Sequence, residues 1–296
     1  MYYPSLLRLM CLLILLVGFC LPLHPNLPAS AAPGSEGMIQ ITSTTLNPEG
    51  NPYEANVAED GGLWISDNGL QSEEAPGEIR RYAPDGKSGQ LYWGLGKVSD
   101  ARQDNRGWVW FAEQSAGALG QMDLATGEYV LWDLPGSASG FGTALDAEGR
   151  VWVSDPNLPS LFRFEVSGER SGWMCRLDLS TATGSYYLAA APPYLWLVPR
   201  YESAVLRLDT RNNLLETWTV SGWVLEAEGL AADGAGGLWF ADGNASSLGY
   251  LDLSSSFGSR LLRYAVPIGS GAPQMLALQG ARVWYSAYLT GSLGAL

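Results

Sequence analysis

Carboxylates recur at one fixed place in this chain. Asp67, Glu113, Asp155 and Asp242 each stand three residues after a tryptophan, in the phrases GGLWISD, RGWVWFAE, EGRVWVSD and GGLWFAD. Two further copies, around Trp196 and Trp284, carry Pro199 and Ala287 at that place, and Arg200 follows the proline. Glu226 and Glu228 stand a little before the last acid. Grouped carboxylate oxygens suit a hard divalent cation, Mg2+ or Ca2+. Crowding also raises the pKa of one carboxylate, which fits it to act as a base. This pattern predicts Glu228 as the catalytic group and Glu226, Asp242, Asp155, Glu113 and Asp67 as metal ligands. Asn51, Arg200, Tyr201 and Trp223 are the predicted ligand-binding residues around them. An Asp or Glu at the start of a loop has a second use, which is to accept backbone N–H groups within that loop. The residues alone leave both uses open.

The six tryptophans that mark the phrase are Trp64, Trp110, Trp152, Trp196, Trp239 and Trp284, spaced by 46, 42, 44, 43 and 45 residues. A period in this range marks a β-propeller built of four-stranded blades. In the fifth repeat, 229–232 reads as the innermost strand, 238–241 as the second, 248–253 as the third and 261–266 as the fourth. Turns rich in Gly, Asp and Asn separate them. The chain ends after a third strand, at residues 292–296, and one spare strand, 39–46, precedes the first repeat. The expected fold is therefore an all-β, six-bladed propeller in which the N-terminal strand 39–46 closes the last blade, removing the open edge. Up-and-down strands bring the loop after each second strand to the same face as the loop before each innermost strand. The acids then ring one mouth of the central channel, a usual place for function on a rigid scaffold. A hairpin centred near Ala235 places Glu228 opposite Asp242 and Glu226 one step nearer the mouth.

Residues 1–31 read as a secretory signal peptide, with Arg8, an apolar run from Leu9 to Leu23, and Ala29-Ser30-Ala31 as the cleavage site. The remaining stretch, 32–296, reads as one domain in a secreted or extracytoplasmic protein. It holds one cysteine, Cys175, so an internal disulfide is excluded. The one histidine, His24, falls in the signal segment, and the propeller thus has no His-based acid–base catalysis, Ser-His-Asp triad or His-ligated zinc. Without residues 1–31 the net charge is −14. Such a surface disfavours nucleic acid and favours cations or cationic ligands. The expected partner is a small-molecule ligand or an extracellular protein, with no membrane contact after signal cleavage and a monomeric chain.

The repeats Val109–Glu113, Ala118–Asp123, Thr126–Tyr129 and Leu134-Pro135, together with Gly236–Asp242 and Leu248–Leu251, resemble those of the virginiamycin B lyase (streptogramin lyase) family. The resemblance spans the whole of residues 32–296. It implies a magnesium-dependent lyase that opens a cyclic depsipeptide at its ester by elimination. It also implies a metal-binding Glu two residues before a catalytic His, and a second metal ligand at the end of the next strand. Glu226 and Asp242 match the two ligands, and Glu228 stands where the histidine belongs. The family is seven-bladed, whereas six repeats are present here. The chain is also similar to six-bladed gluconolactonase and regucalcin-like lactonases, for which Asn51, Asp155, Glu226 and Asp242 are the matching oxygen donors. The expected function is a secreted, streptogramin-lyase-like propeller that binds a ligand or divalent cation at an acidic channel mouth without streptogramin lyase activity. A metal-dependent lyase or lactone hydrolase, and a protein-interaction scaffold, are the alternatives.

Overall fold

The computed structural model describes residues 52–296 apart from 59, 68–76, 84–87, 221–226, 244, 253–259, 267–271, 280–281 and 288–291. Every strand pairing is antiparallel, and the strands group by repeat. Blade 1 comprises β1 (Pro52–Val57), β2 (Leu63–Asp67), β3 (Gly77–Tyr82) and β4 (Ser88–Leu95). Blade 2 comprises β5 (Val98–Gln103), β6 (Trp108–Glu113), β7 (Ala118–Asp123) and β8 (Tyr129–Asp133). Blade 3 comprises β9 (Thr143–Leu145), β10 (Val151–Ser154), β11 (Ser160–Phe164) and β12 (Met174–Asp178). Blade 4 comprises β13 (Ser185–Ala191), β14 (Tyr194–Pro199), β15 (Ala204–Asp209) and β16 (Leu214–Thr219). Blade 5 comprises β17 (Ala227–Ala232), β18 (Gly237–Asp242), β19 (Ser247–Asp252) and β20 (Arg260–Ala265). The last sheet has three strands, β21 (Pro273–Gln279), β22 (Arg282–Ala287) and β23 (Ser292–Ala295).

The fold is thus a β-propeller with five complete four-stranded blades among the described residues, rather than the expected six. The sixth sheet lacks its outer strand, and the segment expected to supply it, 39–46, lies outside the described residues. The first strands of successive sheets are spatial neighbours from β1 through β5, β9, β13 and β17 to β21, and β21 also lies near β1.

Apolar packing between sheets explains why the second strands are hydrophobic without alternation. Each is covered on both faces, so both of its side-chain rows must be apolar. On β6, Trp110 and Ala112 join Val151, Val153 and Phe162 of blade 3, while Val109 and Phe111 face Trp64 and Ile79 of blade 1. The same step repeats onward. Trp152 packs with Leu188, Leu195 and Leu197 of blade 4, and Trp196 packs with Leu238 and Phe240 of blade 5. Each of these tryptophans is a knob set into the following blade, and Trp110, Trp152 and Trp196 are at most 1% exposed. Truncating one to alanine carries a cost of about 3–5 kcal/mol.

The hairpin between first and second strands carries a local irregularity that recurs in five sheets. Its register shifts between Pro52 and Glu54, Val98 and Asp100, Ser185 and Leu188, Ala227 and Leu230, and Pro273 and Leu276. A bulge at one place in these five innermost strands bends them and re-aims the side chains beside the loop face.

Candidate ligand-binding site at the loop face

The acids occupy the positions the repeat predicts, at or just past the end of each second strand. The lone pairs of Glu113, Asp155 and Asp242, however, are turned onto the backbone amides of nearby loops. Glu113 accepts hydrogen bonds from the backbone N–H of Ser115 at 3.0 Å and from that of Ala116. Asp155 accepts from Asn157 N at 2.7 Å and Leu158 N at 3.1 Å through Oδ1. Its Oδ2 accepts from Ser139 N at 2.7 Å and Ser139 Oγ at 3.2 Å. Asp242 accepts from Ala245 N at 3.1 Å, and the Arg263 guanidinium stands 3.7 Å from its Oδ2. All three carboxylates are buried, with Asp155 1% exposed.

Blade 4 shows the same need met differently. Pro199 takes the acid's place, and Glu202 supplies the carboxylate, accepting from Ala182 N at 2.7 Å and Thr183 N at 3.0 Å. The loop requires an acceptor because its turned backbone exposes N–H groups that no strand pairs.

A divalent cation does not fit the described carboxylates. Among the described residues no three His, Cys, Asp or Glu side chains gather where they could hold a metal, and Arg263 sets a positive charge against Asp242. Asp67 ends β2, where the described structure gives its backbone pairing with Pro52. Glu228 lies in β17, but the bulge pairs Asp242 with Ala227, not with Glu228 as a regular hairpin would. Glu226, Trp223 and Asn51 lie outside the described residues.

Arg200 and Tyr201 are brought together, with partners that the sequence left unnamed. The Arg200 guanidinium carbon lies 4.5 Å from the centre of the Tyr186 ring and 4.7 Å from that of Tyr201. Arg200 Nη1 donates to Asn157 Oδ1 at 3.2 Å and Nη2 to Tyr201 Oη at 2.7 Å. The Phe141 ring is tilted against Tyr186, with centres 4.8 Å apart, and meets Tyr187 edge-on at 5.2 Å. The result is a platform of one cation among aromatic rings, drawn from the loop faces of blades 3 and 4. Tyr201 is its exposed member, at 53%, and its φ of 59° is left-handed. A non-glycine residue held there stores local strain, which the fold retains where it positions a side chain.

A second polar group lies on the innermost strands and was missed at the level of sequence. Asp100 on β5 is fully buried. It accepts from Asn56 Nδ2 on β1 at 2.6 Å and from Thr143 N on β9 at 2.6 Å, which ties three blades together. Arg102 Nε donates to Thr143 O at 2.5 Å and lies 3.4 Å from Asp100 Oδ2. Glu54 on β1 is buried, with its Oε1 3.7 Å from Arg102 Nη2. Burial pushes the Glu54 carboxyl well above the usual carboxylate range and Asp100 adds to this, while Arg102 offsets only part of it. For Arg102, burial would lower the guanidinium pKa, and Asp100 with Glu54 outweighs it, so the charge is kept.

The signal for this group is present once the register is known. The position paired with the repeat tryptophan is Ala144, Ala189, Ala231 and Ala277 in four sheets, but Asn56 and Arg102 in blades 1 and 2.

No protein-family model matches the sequence, and no curated protein matches it. Solved structures do resemble it. A catalytically inactive histidine-to-alanine variant of virginiamycin B lyase from Staphylococcus aureus, crystallised with quinupristin, superposes with a TM-score of 0.70. The match is 20% identical and covers 87% of this chain and 84% of that one. The chain shares the streptogramin lyase propeller fold. A streptogramin B lyase structure gives a TM-score of 0.67 at 17% identity, with 84% of both chains covered. A chain of a mitotic checkpoint complex also aligns, at 13% identity and a TM-score of 0.64, over 84% of this chain and 75% of that one. One architecture therefore serves unrelated tasks, and function has to be argued from the side chains.

Proposed function

We propose that this chain is a secreted, streptogramin-lyase-like propeller that binds a small organic ligand at its loop face and does not open cyclic depsipeptides. The observation that carries the reading is the contrast between committed acids and an exposed cation–aromatic platform. Glu113, Asp155 and Asp242 have oxygens bound to backbone amides, whereas Tyr201 is exposed and holds the half-buried Arg200 guanidinium beside it. Rings flanking a guanidinium suit a planar, anionic or carbonyl-bearing ligand, through stacking and charge-assisted hydrogen bonds.

The absence of lyase activity is supported by residue type. The neighbour is inactive when one histidine is replaced by alanine, and residues 52–296 here contain no histidine. We also infer six blades, with residues 39–46 pairing beside β23. The approach of β1 to β21 supports this, since a ring whose first and last sheets are neighbours has one blade left to complete.

Calorimetric titration with an aryl carboxylate such as 1-naphthoate tests the site. Arg200→Ala and Tyr201→Ala are expected to weaken binding about tenfold each, in line with the loss of one charged or aromatic contact. Binding that is indifferent to both changes rejects the platform. Incubation with quinupristin and Mg2+, followed by mass spectrometry, tests the chemistry, and a ring-opened product rejects the absence of lyase activity.

A further inference from the structure

Glu54 is the charged member of the polar group on the innermost strands that is left unfinished among the described residues. Its Oε2 is buried and has no hydrogen-bond partner among the described residues. Two neighbouring hydroxyls share that condition. Ser66 is paired directly with Glu54 across β1 and β2, which sets their side chains on the same face. Ser66 Oγ is buried without a partner among the described residues. Thr143, whose backbone binds both Asp100 and Arg102, is fully buried, and its Oγ1 likewise lacks a partner among the described residues. Buried polar atoms are satisfied in native proteins almost without exception. Glu54 and Ser66 share a face of blade 1, and Thr143 accepts from the same Arg102 that lies beside Glu54, so the three oxygens belong to one polar group and point to a species that binds there.

We propose that Glu54 Oε2, Ser66 Oγ and Thr143 Oγ1 mark a binding site for a monovalent cation, an alkali-metal ion or ammonium, between the first two strands of blade 1 and the innermost strands of blades 2 and 3. Charge balance selects the sign. Asp100 and Arg102, 3.4 Å apart, neutralise one another, and Arg102 lies farther from Glu54, at 3.7 Å. Ionised Glu54 then carries the uncompensated charge, and one positive charge completes the balance. An anion would instead add a third negative group to Asp100 and Glu54 around Arg102, inside a protein that is already acidic. Charge balance also selects the valence. A divalent ion would bury one excess positive charge beside the single uncompensated carboxylate, whereas a monovalent ion leaves none.

The propeller supplies its own control for a purely structural origin. At the position that Glu54 and Asp100 occupy beside the bulge, blades 3 and 5 have Gly142 and Gly229, and there the next innermost strand packs directly on the backbone. A Cβ at Gly142 would stand 2.7 Å from Tyr186 O, and one at Gly229 would stand 2.3 Å from Gln274 O. Neighbouring innermost strands can therefore be joined without any charge, and buried ion pairs seldom stabilise more than apolar residues of similar volume. Packing does not require the charged set of blades 1 and 2.

Thermal melting of the purified protein in choline, sodium, potassium and ammonium chloride at one ionic strength tests the site. Choline is too bulky to enter and has no N–H donor. The expected result is a higher midpoint in at least one small-cation salt, saturating with concentration and reaching about 5 °C at a hundredfold excess over Kd. Whether sodium, potassium or ammonium gives the largest rise identifies the ion. Glu54→Gln is expected to melt cooperatively and at one temperature in all four salts. Ser66→Ala, a change away from the ion pair, is expected to raise the half-saturating concentration about tenfold or more. Equal midpoints in all salts for the unchanged protein overturn the proposal, as does a small-cation advantage that persists in Glu54→Gln. Because Arg200 and Tyr201 take no part, loss of aryl carboxylate binding leaves this result unaffected.

Discussion

The carboxylates at the loop face and those on the innermost strands make an instructive pair. Asp155 and Glu54 are both buried acids placed by the same repeat, one just after a second strand and one beside the bulge of a first strand. Asp155 accepts three backbone N–H groups and a hydroxyl, and it closes two loops with them. Among the described residues Glu54 has no N–H donor within hydrogen-bond distance, has Asp100 as a like-charged neighbour, and has Arg102 at 3.7 Å. Burial therefore has opposite consequences. Where the backbone turns and leaves amides unpaired, a buried carboxylate is a cap. Where the backbone is already paired in a strand, the same group is an uncompensated acid.

Three measurements probe this contrast, beginning with the largest effect. Asp155→Ala leaves the amides of Ser139, Asn157 and Leu158 without an acceptor and is expected to lower stability by about 3 kcal/mol in urea unfolding. A loss below about 1 kcal/mol would mean that the loops find other acceptors, and the distinction between cap and uncompensated acid would weaken.

Glu54→Gln is expected to act in the other direction. A carboxyl whose folded pKa is raised contributes stability below its ordinary range and loses it as pH rises through the folded value. Glu54 is therefore a growing liability toward neutral and alkaline pH. In choline chloride, the variant is expected to gain about 1–2 kcal/mol over the unchanged protein at pH 8 and little at pH 4. A gain that is independent of pH would show that Glu54 is not the titrating group. Asp100 and Arg102 on β5, with Tyr187 of β13 near Arg102, are the charged and titratable groups whose fields bear on it.

The smallest effect lies on the outer surface. Asp209 is held down to about 2, chiefly by its hydrogen bonds with Arg211. A depressed carboxyl contributes stability above its ordinary value, and that contribution fades as pH falls toward 2. Arg211→Gln is expected to lower stability slightly at neutral pH, with the difference from the unchanged protein vanishing as pH falls toward 2. Equal stability of the two proteins at neutral pH would show that the exposed Arg211 guanidinium is screened by solvent.

Much of the fold is legible in the residues. Repeating tryptophans and glycine-rich turns mark the blades, because a sheet covered on both faces needs a bulky knob at a constant place. The acids at the ends of the second strands are legible too, as positions. Their role is not, since a loop cap and a metal ligand require the same residue type. The expected pairing of Glu228 with Asp242 followed from a regular hairpin, and the bulge between Ala227 and Leu230 displaced it by one residue. Arg200 and Tyr201 were recognisable by their place at the mouth, but Phe141, Tyr186 and Asn157 were not, because each belongs to another loop or strand.

The sequence by itself determined the repeat, its period, the residues that pack between blades and the lack of histidine in the propeller, because these depend on residue type and spacing along the chain. The tertiary structure decided which buried acids have partners. The donors that satisfy Asp100 come from residues more than 40 positions away, Asn56 and Thr143, and lie in different blades. Whether a carboxylate is a cap, a staple between blades or an unsatisfied group depends on which amides and charges the neighbouring blades bring to it.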